Sequence, residues 1–417
     1  MLARKLSHAR ALARSFRLAV SPRGMSPLER TLHARVTSLP RCPRIANGTV
    51  VFDAGAAGSW SVRVQGGTFT VERGAVSSPT ATLYAGSRTF AEVIEGHTPG
   101  ARAFLDGHLF MRGNIGYALE LDALLQTDVR TPRVRRVDVQ GIESFVLEAG
   151  PRDAPPVVLF HGLGATGASF LTTLWELARD HRVIAPDFPG FGASAKPVRR
   201  LHAAFFAKWA AGLLDAMDVR EADLVGNSMG GRVAIELALR SPERVGKLAL
   251  FMPSLAWHSY RKLKPVVQLL RPELGALPLP MLHGLVVATL RSMFAVPDRL
   301  PEGAMNAAAD EFVRVFASPR GRISFFHAAR EIFLEDARGE RGFWDRLPRL
   351  DRPSLFLFGE RDWLVPPRFA EHVRTVLPHA EVEVVHDCGH VPQFEHPEET
   401  HARVRRFFGR DGDAPAR

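Results

Sequence analysis

The stretch Ala222-Asp-Leu-Val-Gly-Asn-Ser-Met-Gly-Gly231 constrains this chain more than any other. An apolar strand pattern, Ala222–Val225, runs directly into a helical pattern, Arg232–Arg240, with one serine held between glycines at the join. So abrupt a strand-to-helix turn forces its central residue, Ser228, to positive φ. Gly226 and Gly230 remove side chains that would collide there. The turn lifts the hydroxyl above the sheet, and the helix N-terminus behind it favours developing negative charge. The constraint is therefore on architecture as well as on chemistry: the chain needs a sheet whose strand ends share one rim.

The surrounding sequence supplies such a sheet. Pro156–Phe160, Arg182–Pro186, Lys247–Phe251, Ser354–Phe358 and Glu381–Val385 are further apolar runs, separated by helical stretches. Strands apolar on both faces and alternating with helices predict a mostly parallel sheet covered on both sides, an α/β fold over residues 134–410. Its reactive groups belong at the carboxyl ends of the strands. Between Pro253 and Asp351 the alternation stops, and the helical patterns there predict a cap over the site at about 254–350. Leu269, Leu270, Leu282, Leu285, Val286, Val287, Leu290, Met293 and Phe294 are expected to form the cap's own core, with a minority facing the pocket.

A serine hydroxyl needs a base to take its proton. His390 follows the last predicted strand and has Gly389 beside it for a turn, with His386 and His396 as rivals. An acid should orient that imidazole. Asp362, in Gly359-Glu-Arg-Asp-Trp-Leu-Val-Pro366, follows the strand Ser354–Phe358, with Glu360 and Asp387 as rivals. The chain order Ser, Asp, His fits strand ends of a doubly wound sheet. Two backbone N–H groups should meet the developing oxyanion. Met229 is one donor, and Leu163 in His161-Gly-Leu-Gly164 is the other. That loop lacks the Gly-Lys-Ser/Thr ending of a phosphate loop. Asp180, His181 and Asp187 read as turn and fold residues. No metal-ligand spacing or dinucleotide fingerprint appears, so no metal and no cofactor is expected.

Residues 29–127 read differently. Trp60–Val64, Thr68–Val71 and Ala81–Tyr84 alternate with period two between glycines, and Thr89–Glu95 and Ile115–Leu125 are helical. This predicts a small α+β unit, followed by an Arg- and Pro-containing linker around Thr127–Arg136. The net charge of +10 sits almost wholly in residues 1–44, which hold ten Lys/Arg against Glu29 alone. A nucleic-acid footprint would spread over a folded face, so no nucleic-acid partner is expected. Leu2, Leu6, Ala9, Ala13, Phe16 and Val20 recur at helical spacing beside Arg10, Arg14 and Arg17. The arm, residues 1–28, is thus a basic amphipathic helix suited to an anionic membrane surface through residues 1–20, a transit-type presequence, or a solvated tail. Residues 409–417 read as a disordered tail. Two distant cysteines, Cys42 and Cys388, give no disulfide framework and point to a reducing, cytoplasmic setting, with membrane-peripheral contact through the arm.

Taken together, His161-Gly-Leu-Gly164, Asp187-Phe-Pro-Gly-Phe-Gly-Ala-Ser194, the Ser228 turn, Asp362 and Gly389-His-Val-Pro392 resemble the α/β-hydrolase superfamily over 134–410. The resemblance implies a serine hydrolase with Ser228, Asp362 and His390 as triad. Serine in place of aspartate at the turn argues against epoxide hydrolases and dehalogenases. Esterases, lipases and the carbon–carbon bond hydrolases of aromatic breakdown all stay open. The run Ala103–Leu121 is similar to the sterol carrier protein type 2 lipid-binding domain. That similarity implies an apolar tunnel, with Phe104, Leu105, Leu109, Met111, Ile115 and Leu119 at its lining positions or simply in the core. The expected partner is a small hydrophobic or lipid-like substrate. The expected activity is cleavage of a carboxylic ester, and the alternatives are carbon–carbon bond cleavage or a non-catalytic lipid carrier.

Overall fold

A computed structural model describes residues 24–256, 271–278, 280–300, 303–340 and 342–409. The predicted basic arm over residues 1–20, cap residues Leu269 and Leu270, and the tail from 410 onward lie outside the described residues.

The N-terminal unit opens with the helix Pro27–Thr37, started by a capping box in which Ser26 Oγ accepts the Glu29 N–H at 3.2 Å. Five strands follow: β1 (Gly48–Asp53), β2 (Ser59–Gln65), β3 (Thr68–Arg73), β4 (Ala81–Ala85) and β5 (Leu109–Gly113), in the order β3-β2-β1-β4-β5. β1 and β4 pair in parallel and the other neighbours are antiparallel. The helices Ser87–Ile94, Gly100–Leu105 and Ile115–Leu125 accompany this sheet. β1 lacks a clear period-two signal because it is buried along nearly its whole length.

The second sheet has eight strands: β6 (Arg133–Val139), β7 (Ile142–Ala149), β8 (Pro156–Phe160), β9 (Arg182–Pro186), β10 (Ala222–Asn227), β11 (Val245–Phe251), β12 (Ser354–Gly359) and β13 (Glu381–Val385). Their order is β6-β7-β9-β8-β10-β11-β12-β13. β6 and β7 form an antiparallel hairpin, β7 joins β9 antiparallel, and the rest run parallel. The six continuous apolar runs are strands here. β6 begins inside the stretch expected as linker. It is an edge strand in which only Val139 is buried, so it carries Arg133, Arg135 and Arg136 in place of an apolar run. The middle strands β8 to β12 pack into the core, with Leu159, Phe160, Leu224, Val225, Leu250 and Phe356 all at 0% exposure.

The insertion between β11 and β12 is helical as expected, with the helices His283–Ser292, Ala304–Phe316 and Pro319–Leu334. Its apolar content differs from the expectation. Leu282 and Leu285 are 69% and 61% exposed, and among the described residues of the expected set only Val286 is buried. The apolar side of the cap is instead a cluster of Phe312, Phe316, Phe325 and Phe326 with ring centroids 5.4 to 6.0 Å apart.

Among the described residues the two units meet chiefly through three pairs of elements. The helix Ile115–Leu125 lies on the β6–β7 hairpin. Gly116 faces the Phe145 ring, whose Cζ would stand 2.9 Å from a β-carbon there, and Glu120 pairs with Arg136 at 2.9 Å. The helix Gly100–Leu105 meets the helix Leu171–Leu177. β5 meets the cap helix Ala304–Phe316.

Candidate active site

Ser228 sits at φ +53°, ψ −116°, between the last residue of β10 and the first of the helix Met229–Arg240. The neighbouring glycines are obligatory. A β-carbon at Gly230 would lie 1.9 Å from the Phe160 carbonyl oxygen, and one at Gly226 would lie 2.6 Å from the Gly231 nitrogen. Ser228 N–H donates to Phe251 O and its carbonyl accepts from Ser254, both at 2.9 Å, so the loop after β11 clamps the turn. The serine is half-buried while its neighbours Asn227 and Met229 are buried.

The Asp362 carboxylate and the His390 ring face each other at the ends of β12 and β13. His390 Nδ1 and Asp362 Oδ2 are 2.7 Å apart, and both residues are buried. The other carboxylate oxygen, Oδ1, accepts the N–H groups of Leu364 (2.8 Å) and Val365 (3.0 Å). The acid is thereby held from one side and aimed at the imidazole from the other. Among the described residues no hydrogen bond joins the Ser228 hydroxyl to His390. The two are brought to one rim without being locked together, a common resting arrangement.

The rival side chains belong to a separate surface network. His386 is exposed and pairs with Glu360 at 2.8 Å. Asp387 pairs with Arg299 and Arg361, each at 2.9 Å, and His396 Nε2 meets Arg299 and the Asp387 carbonyl at 3.0 Å.

The loop carrying Leu163 and the first turn of the helix that carries Met229 both adjoin Ser228. Gly162 packs on the turn so closely that a β-carbon would sit 3.5 Å from Ser228 Cβ, which brings the next residue, Leu163, beside the serine. Met229 is the first residue of its helix, where backbone N–H groups lack an intrahelical acceptor. Among the described residues neither N–H is taken by a protein acceptor.

Several positioning residues had little or no sequence signal. His161 is fully buried. Its Nε2 accepts the Phe188 N–H at 2.9 Å, which leaves the proton on Nδ1 to donate to Gly162 O at 2.8 Å. Burial pushes its pKa down to about 4, so the ring is neutral and fixes the loop that carries Leu163. Asn227 donates from Nδ2 to both Phe251 O and His390 O at 3.1 Å, tying the serine turn to the histidine loop. Buried Glu395 accepts Gly389 N–H at 2.9 Å and Ala295 N–H at 2.6 Å, joining that loop to the cap. His390 N–H donates to Met293 O at 2.7 Å. His161 and Asn227 lay inside quoted motifs without a role of their own, and Glu395 lay outside any motif. Asp187 is a fold residue as read: its carboxylate accepts Gly167 and Ala193 N–H at 2.7 Å, and burial pushes its pKa up to about 7.

In the N-terminal unit an apolar cavity of about 40 Å³ is lined by Phe104, Leu109, Met111, Ile115 and Leu119 among others, and by Leu171 of the second unit. Leu105, expected with them, is not on that wall. It is half-buried against the core, because on a six-residue helix consecutive side chains point in different directions. Asp122 borders the cavity, yet its carboxylate is spent on the Gly100 (2.9 Å) and Ala101 (3.0 Å) N–H groups. Among the described residues no cluster of His, Cys, Asp and Glu could hold a metal, and no helix is long and apolar enough to cross a membrane. Cys42 and Cys388 are both free.

A turn of this kind, with an acid–histidine pair on the same rim of a mostly parallel eight-stranded sheet, defines a hydrolase-type site. The chain belongs to the alpha/beta hydrolase fold family, whose model matches residues 155–397, and it carries a domain of the SCP-2 sterol transfer family over residues 31–126. It is similar to a 2-hydroxymuconate semialdehyde hydrolase of Pseudomonas sp. (strain CF600), at 29% identity over 68% of this chain and 95% of that protein. A 2-hydroxymuconate semialdehyde hydrolase of Pseudomonas putida is 30% identical over 61% of this chain and 86% of its own length. Among solved structures, a membrane phospholipase A described as a bacterial virulence factor is 28% identical with a TM-score of 0.56, covering 67% of this chain and 86% of that one. By fold and by relatives this chain is a hydrolase.

Proposed function

We propose that this protein hydrolyses a carboxylic ester with a hydrophobic, lipid-like acyl or alcohol group through an acyl-enzyme on Ser228. The observation that carries the reading is the pairing of a strained, half-buried serine with the 2.7 Å His390–Asp362 contact on one rim of the sheet. His390 takes the proton as Ser228 Oγ attacks the carbonyl, and Asp362 keeps the imidazole oriented and stabilises its charged form. Leu163 and Met229 N–H groups receive the oxyanion. His390 then protonates the departing alcohol, and water, deprotonated by the same ring, releases the acid.

The phenylalanine cluster of the cap and the SCP-2 domain support an apolar substrate. So does the similarity to a phospholipase A. A fluorophosphonate should label the protein, and Ser228→Ala should abolish labelling. A series of p-nitrophenyl esters should show kcat/KM rising from acetate to longer acyl chains. Preference for acetate would sink the lipid-like part, and labelling that survives Ser228→Ala would sink the nucleophile assignment.

A second reading is favoured by the similarity to 2-hydroxymuconate semialdehyde hydrolases: the same triad could cleave a carbon–carbon bond in a vinylogous diketone. Turnover of such a diketone with negligible ester hydrolysis would favour it. A lipid carrier without catalysis would show neither labelling nor turnover.

A further inference from the structure

We propose that an apolar chain bound in the cavity of the SCP-2 domain controls access to Ser228 by moving the cap helix Ala304–Phe316. The proposal rests on the hydrolase reading of the Ser228 site.

Strand β5 is the shared wall. Its side chains alternate, as strand geometry demands. Leu109 and Met111 are buried and line the cavity. Phe110 and Arg112 point the other way, onto the cap. Phe110 lies under Gly303, where a β-carbon would come within 3.0 Å of the ring at φ +85°. Arg112 holds Asp310 through two hydrogen bonds, Nε to Oδ2 at 2.6 Å and Nη2 to Oδ1 at 3.0 Å. The Gly113 N–H adds a third to Asp310 at 3.0 Å, and His283 Nε2 stands 3.0 Å from Oδ1. β5 is the edge strand of its sheet, so the cap helix covers an edge that nothing else in the sheet restrains.

The same helix reaches the candidate active site. Phe312 packs with Phe325 over Gly164, so tightly that a β-carbon at Gly164 would stand 2.8 Å from the Phe312 ring. Gly164 directly follows Leu163, the expected oxyanion donor. Asp310 and Phe312 are thus two positions on one short helix, one gripped by the carrier domain and the other seated on the catalytic loop.

The cavity holds about 40 Å³, far below the roughly 300 Å³ of a small-ligand site. An acyl or sterol-like chain enters only if the wall yields. The opposite side is anchored, because the helix Ile115–Leu125 is pressed against Phe145 and tied through Glu120 to Arg136. Expansion therefore falls on edge strand β5, which draws Asp310 with it and lifts Phe312 from Gly164. Leu171 of the hydrolase unit also borders the cavity and would feel the same expansion. The coupling has two sites and two states, cap seated and cap lifted, and it is reciprocal for binding.

The test uses the full chain and cis-parinaric acid, a fluorescent fatty acid, as the probe, with p-nitrophenyl acetate as a small ester that needs no apolar chain. Probe binding should lower KM for the ester by about threefold or more, with kcat within about twofold. It should also speed hydrogen exchange in residues 304–316. Arg112→Ala should still bind the probe but lose both responses. Asp310→Asn, tested as a second variant because it keeps the helix and an acceptor for Gly113, should weaken them. The proposal is overturned if the probe binds without changing exchange in residues 304–316, or if it fails to bind. It is also overturned if Arg112→Ala responds like the wild type, as when the probe competes directly at Ser228. A wild type inert towards esters would refute the ester reading alone, since the exchange measurement needs no turnover.

Discussion

Asp362 divides its two carboxylate oxygens between two tasks: Oδ2 meets His390 Nδ1 at 2.7 Å, while Oδ1 accepts the backbone N–H groups of Leu364 and Val365. One oxygen fixes the loop and the other fixes the imidazole. The acid is thereby positioned by its own backbone before any substrate arrives. Asp362→Asn retains an oxygen for the loop but presents an amide to the histidine, which favours the wrong ring tautomer. The fold should survive, with kcat reduced by about 10³- to 10⁴-fold in steady-state ester hydrolysis. His386→Ala, at the exposed rival pair with Glu360, should change kcat by less than about twofold. Equal losses in the two variants would refute the assignment of Asp362.

Ser228 holds φ +53°, a conformation that carries strain of about 1–3 kcal/mol for a residue with a side chain. Ser228→Gly should therefore raise the unfolding free energy by about 1 kcal/mol while removing catalysis. Chemical denaturation read beside ester hydrolysis checks both. A glycine variant less stable than the wild type would contradict the strain.

Gly230 has no room for a side chain, since its β-carbon would lie 1.9 Å from the Phe160 carbonyl. Gly230→Ala should shift either the serine turn or β8, and should lower stability by at least about 3 kcal/mol. A melting temperature within a degree or two of the wild type would show that the turn is looser than described.

Acid should destabilise the protein through its buried histidines. His161 and His401 are both buried, and burial pushes each pKa down from 6.5 to about 4. Below pH 6.5 the unfolded chain takes up protons that the fold refuses. Their stabilisation is complete above that pH and is lost as pH falls towards 4, by up to about 1.4 kcal/mol per pH unit for each. Asp187 works in the opposite sense. Burial raises its pKa to about 7, so the fold keeps a proton that the unfolded chain releases above the usual carboxylate range. Burial raises Asp122, Asp223 and Glu395 in the same sense as Asp187, so the histidine share is read from a variant that removes one of the rings. His401 lies 3.0 Å from Thr173 Oγ1, away from the triad. Between pH 7 and 5, His401→Gln should lose less Tm, or gain more, than the wild type. An identical change would refute its share.

The parts of this protein legible in the sequence are those set by short-range rules. The apolar runs of β8 to β13, the glycine-flanked turn at Ser228 and the turns carrying Asp362 and His390 each depend on residues a few positions apart. Steric limits and hydrophobic periodicity act over that range. The hairpin β6–β7 was less legible because β6 has a single buried residue, Val139, and because Glu143 and Glu148 interrupt the apolar residues of β7. Tertiary structure decided what joins distant segments. It set His390 against Asp362 and left His386 and His396 in a surface network. It tied Asn227 to the His390 carbonyl, Glu395 to the cap at Ala295, and Arg112 to Asp310 across 198 positions. It also left Leu282 and Leu285 exposed and built the Phe312–Phe325 cluster in the cap, and it put Leu171 of one unit on the cavity wall of the other. Such contacts have no local signature, because they form only when finished elements pack and each buried polar group must find a partner wherever the fold has brought one.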